Sequence, residues 1–473
     1  MNPSEFPALA RAHAHATDWL QSLDARQVAA SLSYHPIVGG GTLRLPRTGL
    51  APAAVVDELV ALVEGGLHAS TGGRFYGWVA GGALESALAA DWLCSAWDQI
   101  AALRVTSPAA ADVEAIAGAW MTELLDLPRD ASFAFTTGCQ LAHFTSLAAA
   151  RHALLARRGW DVEADGLFGA PAIRVVTSDQ RHASIDRAVR FLGIGARNLV
   201  AVETDHAGRV TAAALQRVLA VQDGPMIVVL DAADLNIAAC DPFSELIPIA
   251  HAAGAWVHID GAFGLLARAS RSKRHLLDGV ERADSWATDA HKWLNVPFDC
   301  GVAIVRDRAA HRAAMTVSAS YIASAGETHR DQIDWNPEWS HRARGFVVWA
   351  ALRELGADGV ESLIDRSCGF CHDIVTGIGA LDGAEAMMVP DMNQGLVRFL
   401  DQRDGASDAD HDRRTDAVIA AINATGEAFF SGAVWRGRHV MRVSVVNWRT
   451  SASDVARAIA AVREGIAACR GRV

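Results

Sequence analysis

The stretch Ala283–Gly301, ADSWATDAHKWLNVPFDCG, governs the reading of this chain. It sets His291 beside Lys292 among bulky apolar residues, just before the strand-like run GVAIVRD (301–307). Lysine is rarely fully buried unless it is paired. Lys292 is therefore either a surface charge next to a core tryptophan or an amine kept in a pocket for its chemistry. Upstream lie the short apolar runs FAFT (133–136), AIRVVTS (172–178), MIVVL (226–230) and AWVHID (255–260). Helical patterns separate them: QLAHFTSLAAARHALLARR, HASIDRAVRFLGI and FSELIPIAHAAG. Continuous apolar strands alternating with helices predict a mostly parallel sheet covered on both faces.

Around this centre the chain divides into four parts. Residues 1–60 read as an N-terminal arm with one helix and a glycine-rich bend, Val38-Gly-Gly-Gly-Thr42. Residues 61–310 form the large domain, 311–372 a mobile loop and connecting helix, and 373–473 a smaller α+β domain. The last contains LVRFL, a hairpin-like FFSGAVWRGRHVMRVSVV and a final helix opening on the capping pattern Ser451-x-x-Asp454. Another helix follows Ser107-Pro108, with Val113, Ile116, Ala117, Trp120, Leu124 and Leu127 at helical spacing, and Pro128 ends it.

Of the 473 residues, 51% are hydrophobic and 21% charged, which suits a large globular core. The 43 basic and 54 acidic residues give a net charge of −11 with no basic block, which argues against nucleic acid or an anionic membrane as partner. No apolar run reaches the ~18 residues of a membrane span. The opening MNPSEFPALARAHAHATDW lacks a signal peptide's basic start and apolar run, and the seven scattered cysteines suit reduced thiols. Together these predict a cytoplasmic protein. Cys368-Gly-Phe-Cys371-His372 matches the pattern for covalent haem attachment, but it lies within a helical run and reads as core cysteines.

Four features fall near the carboxyl ends of the predicted strands, where open α/β sheets bind ligands. The small-residue turn Thr136-Thr-Gly-Cys-Gln140 opens a helix and suits a phosphate. Asp260 ends an apolar strand, where a carboxylate needs a donor or a cation; otherwise it caps a helix. His182 lies in SDQRHAS, and by itself such a histidine is more often a helix-start residue. His291-Lys292 is the fourth. A phosphate site, a strand-end carboxylate and a lysine before the next strand together suggest pyridoxal 5′-phosphate (PLP). The aspartate would keep the pyridine nitrogen protonated and make the ring an electron sink. Desolvation and the cationic ring would lower the lysine's pKa and leave a nucleophilic amine. No metal site is expected.

The Asp-Ala-His-Lys-Trp segment through Gly301 resembles the lysine signature of the PLP-dependent group II amino-acid decarboxylases, and of their aromatic-L-amino-acid decarboxylase-like members in particular. Other matching motifs are Arg74-Phe-Tyr-Gly-Trp78, Ser107-Pro-Ala, Ser178-Asp-Gln-Arg-His182 and the Asp260 strand, so the resemblance runs from about Arg74 to Arg449. It implies a fold of the PLP-dependent aminotransferase type (fold type I). Lys292 would be the Schiff-base lysine, Asp260 the partner of the ring nitrogen and His182 the residue stacked on the ring, with Ala262 on the other face. Gly138 and Cys139 match the phosphate turn, Asp289 and His291 match further cofactor contacts, and Trp78 lines up with the substrate-pocket segment. Arg104 lies near other pocket residues, where it would bind an acidic side chain or else stay solvated. The resemblance further implies a homodimer with the active site at the subunit interface.

The chain departs from the family pattern twice. Asp231-Ala-Ala-Asp-Leu-Asn236 replaces a Gly-Thr-Thr-like turn, so Asp234 either brings a negative charge near the cofactor or turns outward as a cap. Gln332 aligns with the loop tyrosine that protonates the carbanion left after carbon dioxide departs, and an amide cannot serve as a general acid. His329, Asp331 or water would replace it, while Tyr321 resembles a structural tyrosine at the start of the loop. The expected activity is PLP-dependent decarboxylation of an L-amino acid, aromatic by preference, to an amine. The missing tyrosine leaves two alternatives open: oxygen-dependent decarboxylation with oxidative deamination to an aldehyde, and carbon–carbon bond cleavage. A non-enzymatic PLP binder would have no reason to keep Lys292, Asp260 and His182 together.

Overall fold

A computed structural model describes residues 6–31, 45–317 and 330–470. Seven strands build the central sheet: β1 Ser132–Thr136, β2 Arg174–Ser178, β3 Leu199–Val202, β4 Met226–Asp231, β5 Trp256–Asp260, β6 Ser285–Asp289 and β7 Gly301–Val305. Their order is β1-β7-β6-β5-β4-β2-β3. All run parallel except β7, which is antiparallel to both β6 and β1. Every residue of β1, β4, β5, β6 and β7 is buried, as strands covered by helices on both faces must be, and all of these but β6 are mainly apolar.

Two strands escape the sequence pattern. β3 is a half-exposed edge strand of four residues. β6 is the SWATD of the opening stretch, and its polar residues disguise a fully buried strand. They are tolerated because they are partnered; the Trp256 indole donates to Ser285 Oγ at 2.9 Å.

The helix Pro108–Leu124 forms where Pro108 predicts it, but rotated from the expected face. Ala110, Ala111, Ala117, Gly118 and Met121 are buried, whereas Ile116 is 41% exposed. Small residues let the helix approach the sheet closely: a Cβ on Gly118 would sit 2.1 Å from the Phe133 ring.

The arm carries two described helices, Pro7–Ser22 and Pro52–Val63, so the boundary at residue 60 falls inside the second. The expected boundary at 372 likewise falls inside a helix, Arg344–Gly379, which bends at Gly356 (φ 60°). Cys368 and Cys371 face the core from this helix while His372 points to solvent, an arrangement of packing residues. The bend Val38–Thr42, Tyr321 and His329 lie outside the described residues.

The small domain is an antiparallel sheet, β8 Ala384–Ala386, β9 Gln394–Phe399, β10 Ser431–Trp435 and β11 Arg438–Ser444, in the order β10-β11-β9-β8. The helices Asp408–Thr425 and Ala452–Ala468 accompany it, and the second opens on the expected capping box of Ser451 and Asp454. Among the described residues no helix is long and apolar enough to cross a membrane.

Candidate active site

The carboxyl ends of β4, β5 and β6 and the turn after β1 open onto a cavity of about 510 Å³. Gly138, Cys139, His182, Asp260, Ala262, Asp289, His291, Lys292 and Trp78 all line it, so residues spread over more than two hundred positions converge as the sequence predicts. Arg104 and Gln332 do not line it. The Arg104 guanidinium pairs with Asp112 at 2.6 Å on the surface. Gln332 is buried in the short turn Gln332–Asp334, and neither atom of its amide has a hydrogen-bond partner among the described residues.

Lys292 follows β6 by three residues, and its Nζ stands 3.0 Å from Asp289 Oδ2. Burial pushes the ammonium's pKa down, but Asp289, Cys139 and Asp260 together outweigh burial and hold it above its usual value. The lowered pKa expected from desolvation is therefore reversed by the acidic groups around the amine. Asp289 Oδ1 accepts the Cys139 backbone N–H at 2.6 Å, which ties the lysine to the turn after β1. That turn packs tightly on β7: a Cβ on Gly301 would meet the Gly138 backbone at 2.3 Å. At the start of the helix Cys139–Ala156, Asp289 takes the Cys139 N–H and the Gly138 carbonyl takes the Leu141 N–H, which leaves the Gln140 N–H to an anion. Asn295 anchors the lysine's own turn. Its Oδ1 accepts from Gly82 and Trp448 backbone N–H groups at 2.8 and 3.0 Å, and its Nδ2 donates to Trp293 and Val446 carbonyls.

Asp260 accepts the Ala262 N–H at 3.1 Å, and His143 Nε2 lies 3.4 Å from its other oxygen. Burial raises its pKa, but His143 and His182 more than offset that and hold the carboxyl below the usual carboxylate range. An ionised, buried carboxylate with no lysine or arginine ion partner among the described residues fits a cationic ligand atom. The N–H of a protonated pyridine is such an atom. His182 caps the helix Ala183–Phe191, its Nδ1 bonded to Ser184 at 2.7 Å, and its ring borders the cavity. Burial lowers the pKa of both His182 and His291, so both are neutral imidazoles near pH 7. PLP therefore fits the residues present: an amine, an ionised carboxylate, a neutral ring and the amide end of a helix converge on one cavity.

Asp234 resolves the doubt about its turn. Its carboxylate accepts the Asn236 and Ala239 N–H groups, each at 2.8 Å, so it organises the loop while lining the cavity. Trp78 stands at the mouth, 55% exposed, with φ 51°. A bulky residue in the left-handed region is uncommon, and the ring is held by stacking on Phe429 at 5.7 Å and Phe75 at 6.1 Å. Sequence reasoning missed Arg442, Asp231, Asn295 and His143. Arg442 comes from β11 and lines the cavity, its Nε unpartnered among the described residues, a position that no local motif announces.

The family model described as the pyridoxal-dependent decarboxylase conserved domain matches residues 46–401. The chain is 30% identical to L-2,4-diaminobutyrate decarboxylase of Rhizobium meliloti, covering 80% of this chain and 74% of the relative. It is 29% identical to tryptophan decarboxylase 1 of Oryza sativa subsp. japonica, covering 85% and 82%. A crystal structure of Oryza sativa TDC with PLP and tryptamine superposes with a TM-score of 0.91 at 23% identity, over 99% of this chain and 98% of that one. The sheet order and small antiparallel domain agree with the expected fold type I. The chain belongs to the pyridoxal-dependent decarboxylases and is a carboxy-lyase that uses pyridoxal 5′-phosphate.

Proposed function

We propose that the chain decarboxylates an aromatic L-amino acid to the amine, with Lys292 as the amine that links the cofactor. The reading rests chiefly on the convergence of Lys292, Asp289 and Asp260 on one cavity whose mouth is walled by Trp78. Bound there, PLP supplies an aldehyde for the lysine and a ring that accepts the electron pair left at the α-carbon when carbon dioxide departs. Asp260 holds the proton on the ring nitrogen. His182 and Ala262 border the ring, and the Gly138–Cys139 turn holds the phosphate. Asp289 and His291 orient the lysine and its turn. Trp78, stacked on Phe429 and Phe75, offers a flat apolar wall to the substrate's side chain. The relatives named for tryptophan and for tyrosine or DOPA support an aromatic substrate.

The same proposal includes a homodimer with the active site at the subunit interface, in the cytoplasm. Trp92, Trp97, Ile100 and Ile116 are each more than two-fifths exposed, and covering them would offset the cost of association. Sedimentation analysis of the purified protein tests this, and a monomer at micromolar concentration would refute it.

A second reading, aldehyde formation with oxygen, or carbon–carbon cleavage, is favoured by one observation. Tyr76 is the single described tyrosine, and it is buried in the small-domain core rather than on the cavity. The deciding experiment incubates the PLP-loaded protein with a panel of L-amino acids, with and without oxygen. Amine and carbon dioxide from tryptophan, tyrosine or DOPA, indifferent to oxygen, are expected. Aldehyde with peroxide would establish the oxidative reading, and aldehyde without carbon dioxide the lyase. Lys292→Ala should lose essentially all turnover and the borohydride-fixed cofactor. Recovery of that cofactor on another lysine would refute the assignment.

A further inference from the structure

Behind Asp260 lies a chain of buried groups that no part of the proposed reaction uses. His143, on the helix Cys139–Ala156, brings Nε2 to 3.4 Å from Asp260 Oδ2. Its Nδ1 lies 2.9 Å from His258 Nε2, and the two rings meet edge to face with centroids 5.2 Å apart. His258 Nδ1 lies 2.9 Å from Ser285 Oγ, which also receives the Trp256 indole N–H at 2.9 Å. Both histidines and Ser285 are fully buried, and Trp256 is 2% exposed. The chain thus crosses three adjacent elements of the large domain, from β5 through β6 and back to the helix that begins at the phosphate turn.

The chemistry of its ends sets its direction. An indole N–H can only donate, and an ionised carboxylate can only accept. With Trp256 donating into Ser285 Oγ, the hydroxyl proton turns to His258 Nδ1. His258 then carries its proton on Nε2 and gives it to His143 Nδ1, which leaves His143 with Nε2–H facing Asp260. Every group is satisfied with both imidazoles neutral, so no additional charge is buried. The partner on one ring nitrogen decides which nitrogen carries the proton. Burial also pushes the His258 pKa well below its ordinary value, in keeping with a neutral ring.

We infer that His143 is a positioning residue for Asp260, and that His258, Ser285 and Trp256 form a buried hydrogen-bond chain that fixes its tautomer. The inference rests on the proposed role of Asp260 toward the cofactor's ring nitrogen. The other groups that face this carboxylate are His182, the Ala262 N–H, Asp231 on the neighbouring β4 and Lys292, and the Cys139 thiol lies 3.4 Å from His143 Nε2. Cys139, His143 and Asp260 also bring their ligand atoms within 4.8 Å of one another, so metal analysis belongs to the test.

The test begins with histidine ¹⁵N NMR on the cofactor-free chain, which reads tautomers independently of activity. His143 and His258 should each show a protonated Nε2 and an unprotonated Nδ1. An unprotonated Nε2 or an imidazolium at His143 would overturn the inference, as would a stoichiometric metal ion lost in His143→Leu. In parallel, His143→Leu should weaken PLP binding at least ten-fold and move the pH midpoint of the bound cofactor's absorbance by a unit or more, with kcat lowered and KM nearly unchanged. His258→Leu should move the same observables in the same direction. His258→Gln, whose amide can still donate to His143, should recover most of the loss. A folded His143→Leu with wild-type PLP affinity and an unmoved absorbance profile would refute the positioning role. If Asp260→Ala also leaves both unchanged, the proposed role of Asp260 has failed instead.

Discussion

Asp289 joins two parts of the site with one carboxylate: Oδ2 lies 3.0 Å from Lys292 Nζ, and Oδ1 accepts the Cys139 backbone N–H at 2.6 Å. The Lys292 amine and the turn after β1, proposed to hold the phosphate, are therefore placed by the same side chain, so a change at Asp289 reaches both.

The pH dependence of that pairing has a definite sign. Lys292 has a folded-state pKa above its ordinary value, because Asp289, Cys139 and Asp260 together outweigh burial. Such a group stabilises the fold fully below its unfolded pKa of about 10.4, and the contribution disappears as pH rises through the folded value. Asp289→Asn in the cofactor-free chain should therefore cost about 1–3 kcal/mol at pH 7 to 9. Urea denaturation should show the gap from wild type narrowing at higher pH. A gap that widens there would contradict the assignment.

Gly301→Ala tests the packing beneath the phosphate turn. The new Cβ would lie 2.3 Å from the Gly138 backbone, which has no flexible side chain to yield. Overpacking of this kind costs about 1–3 kcal/mol. PLP affinity should fall by roughly ten-fold or more, since one pKa-sized loss of 1.4 kcal/mol is a factor of ten. Unchanged affinity, measured by fluorescence titration, would show that the turn does not hold the phosphate.

Gln332 is 1% exposed and both its amide atoms lack partners among the described residues. Its replacement by methionine should stabilise the chain by about 1–2 kcal/mol in thermal or chemical denaturation, because two orphaned polar atoms disappear. Since Gln332 does not line the cavity, Gln332→Tyr should leave the ratio of amine to aldehyde unchanged. A shift of that ratio would mean that this side chain reaches a reacting carbanion.

Glu114 is buried beside Arg330, with Oε1 at 3.5 Å from Nη2. Burial dominates, and its pKa is pushed up to about 7. A carboxyl whose folded pKa exceeds its unfolded value binds its proton more tightly when folded, so stability falls as pH rises through that window. Wild type should lose up to roughly 3 kcal/mol relative to Glu114→Gln between pH 4.5 and 7, at 1.36 kcal/mol per pKa unit. Parallel pH profiles of the two proteins would exclude the shift.

Much of this was legible before any coordinates. The runs ending at Thr136, Asp260 and Val305 became buried strands because they are mainly apolar and their few polar side chains find partners inside the protein. Lys292, Asp260 and His182 could be singled out because an amine, a carboxylate and an imidazole at strand ends are costly without a purpose. β6 was not legible, since Ser285, Thr288 and Asp289 look like loop residues until their partners are known. The helix after Ser107 showed a period but not its buried face, because the tight contact of Gly118 with Phe133 outweighed the pull of Ile116 toward the core.

The order of strands and helices, the family and the lysine proposed to link the cofactor follow from the amino-acid sequence, because periodicity and short motifs are properties of neighbours along the chain. The removal of Arg104 and Gln332 from the cavity, the entry of Arg442, the grip of Asn295 and the histidine chain behind Asp260 depend on contacts between residues far apart in sequence. Hydrogen bonds and ion pairs form between groups a few ångströms apart in space, and no pattern along the chain encodes those distances until the sheet has closed.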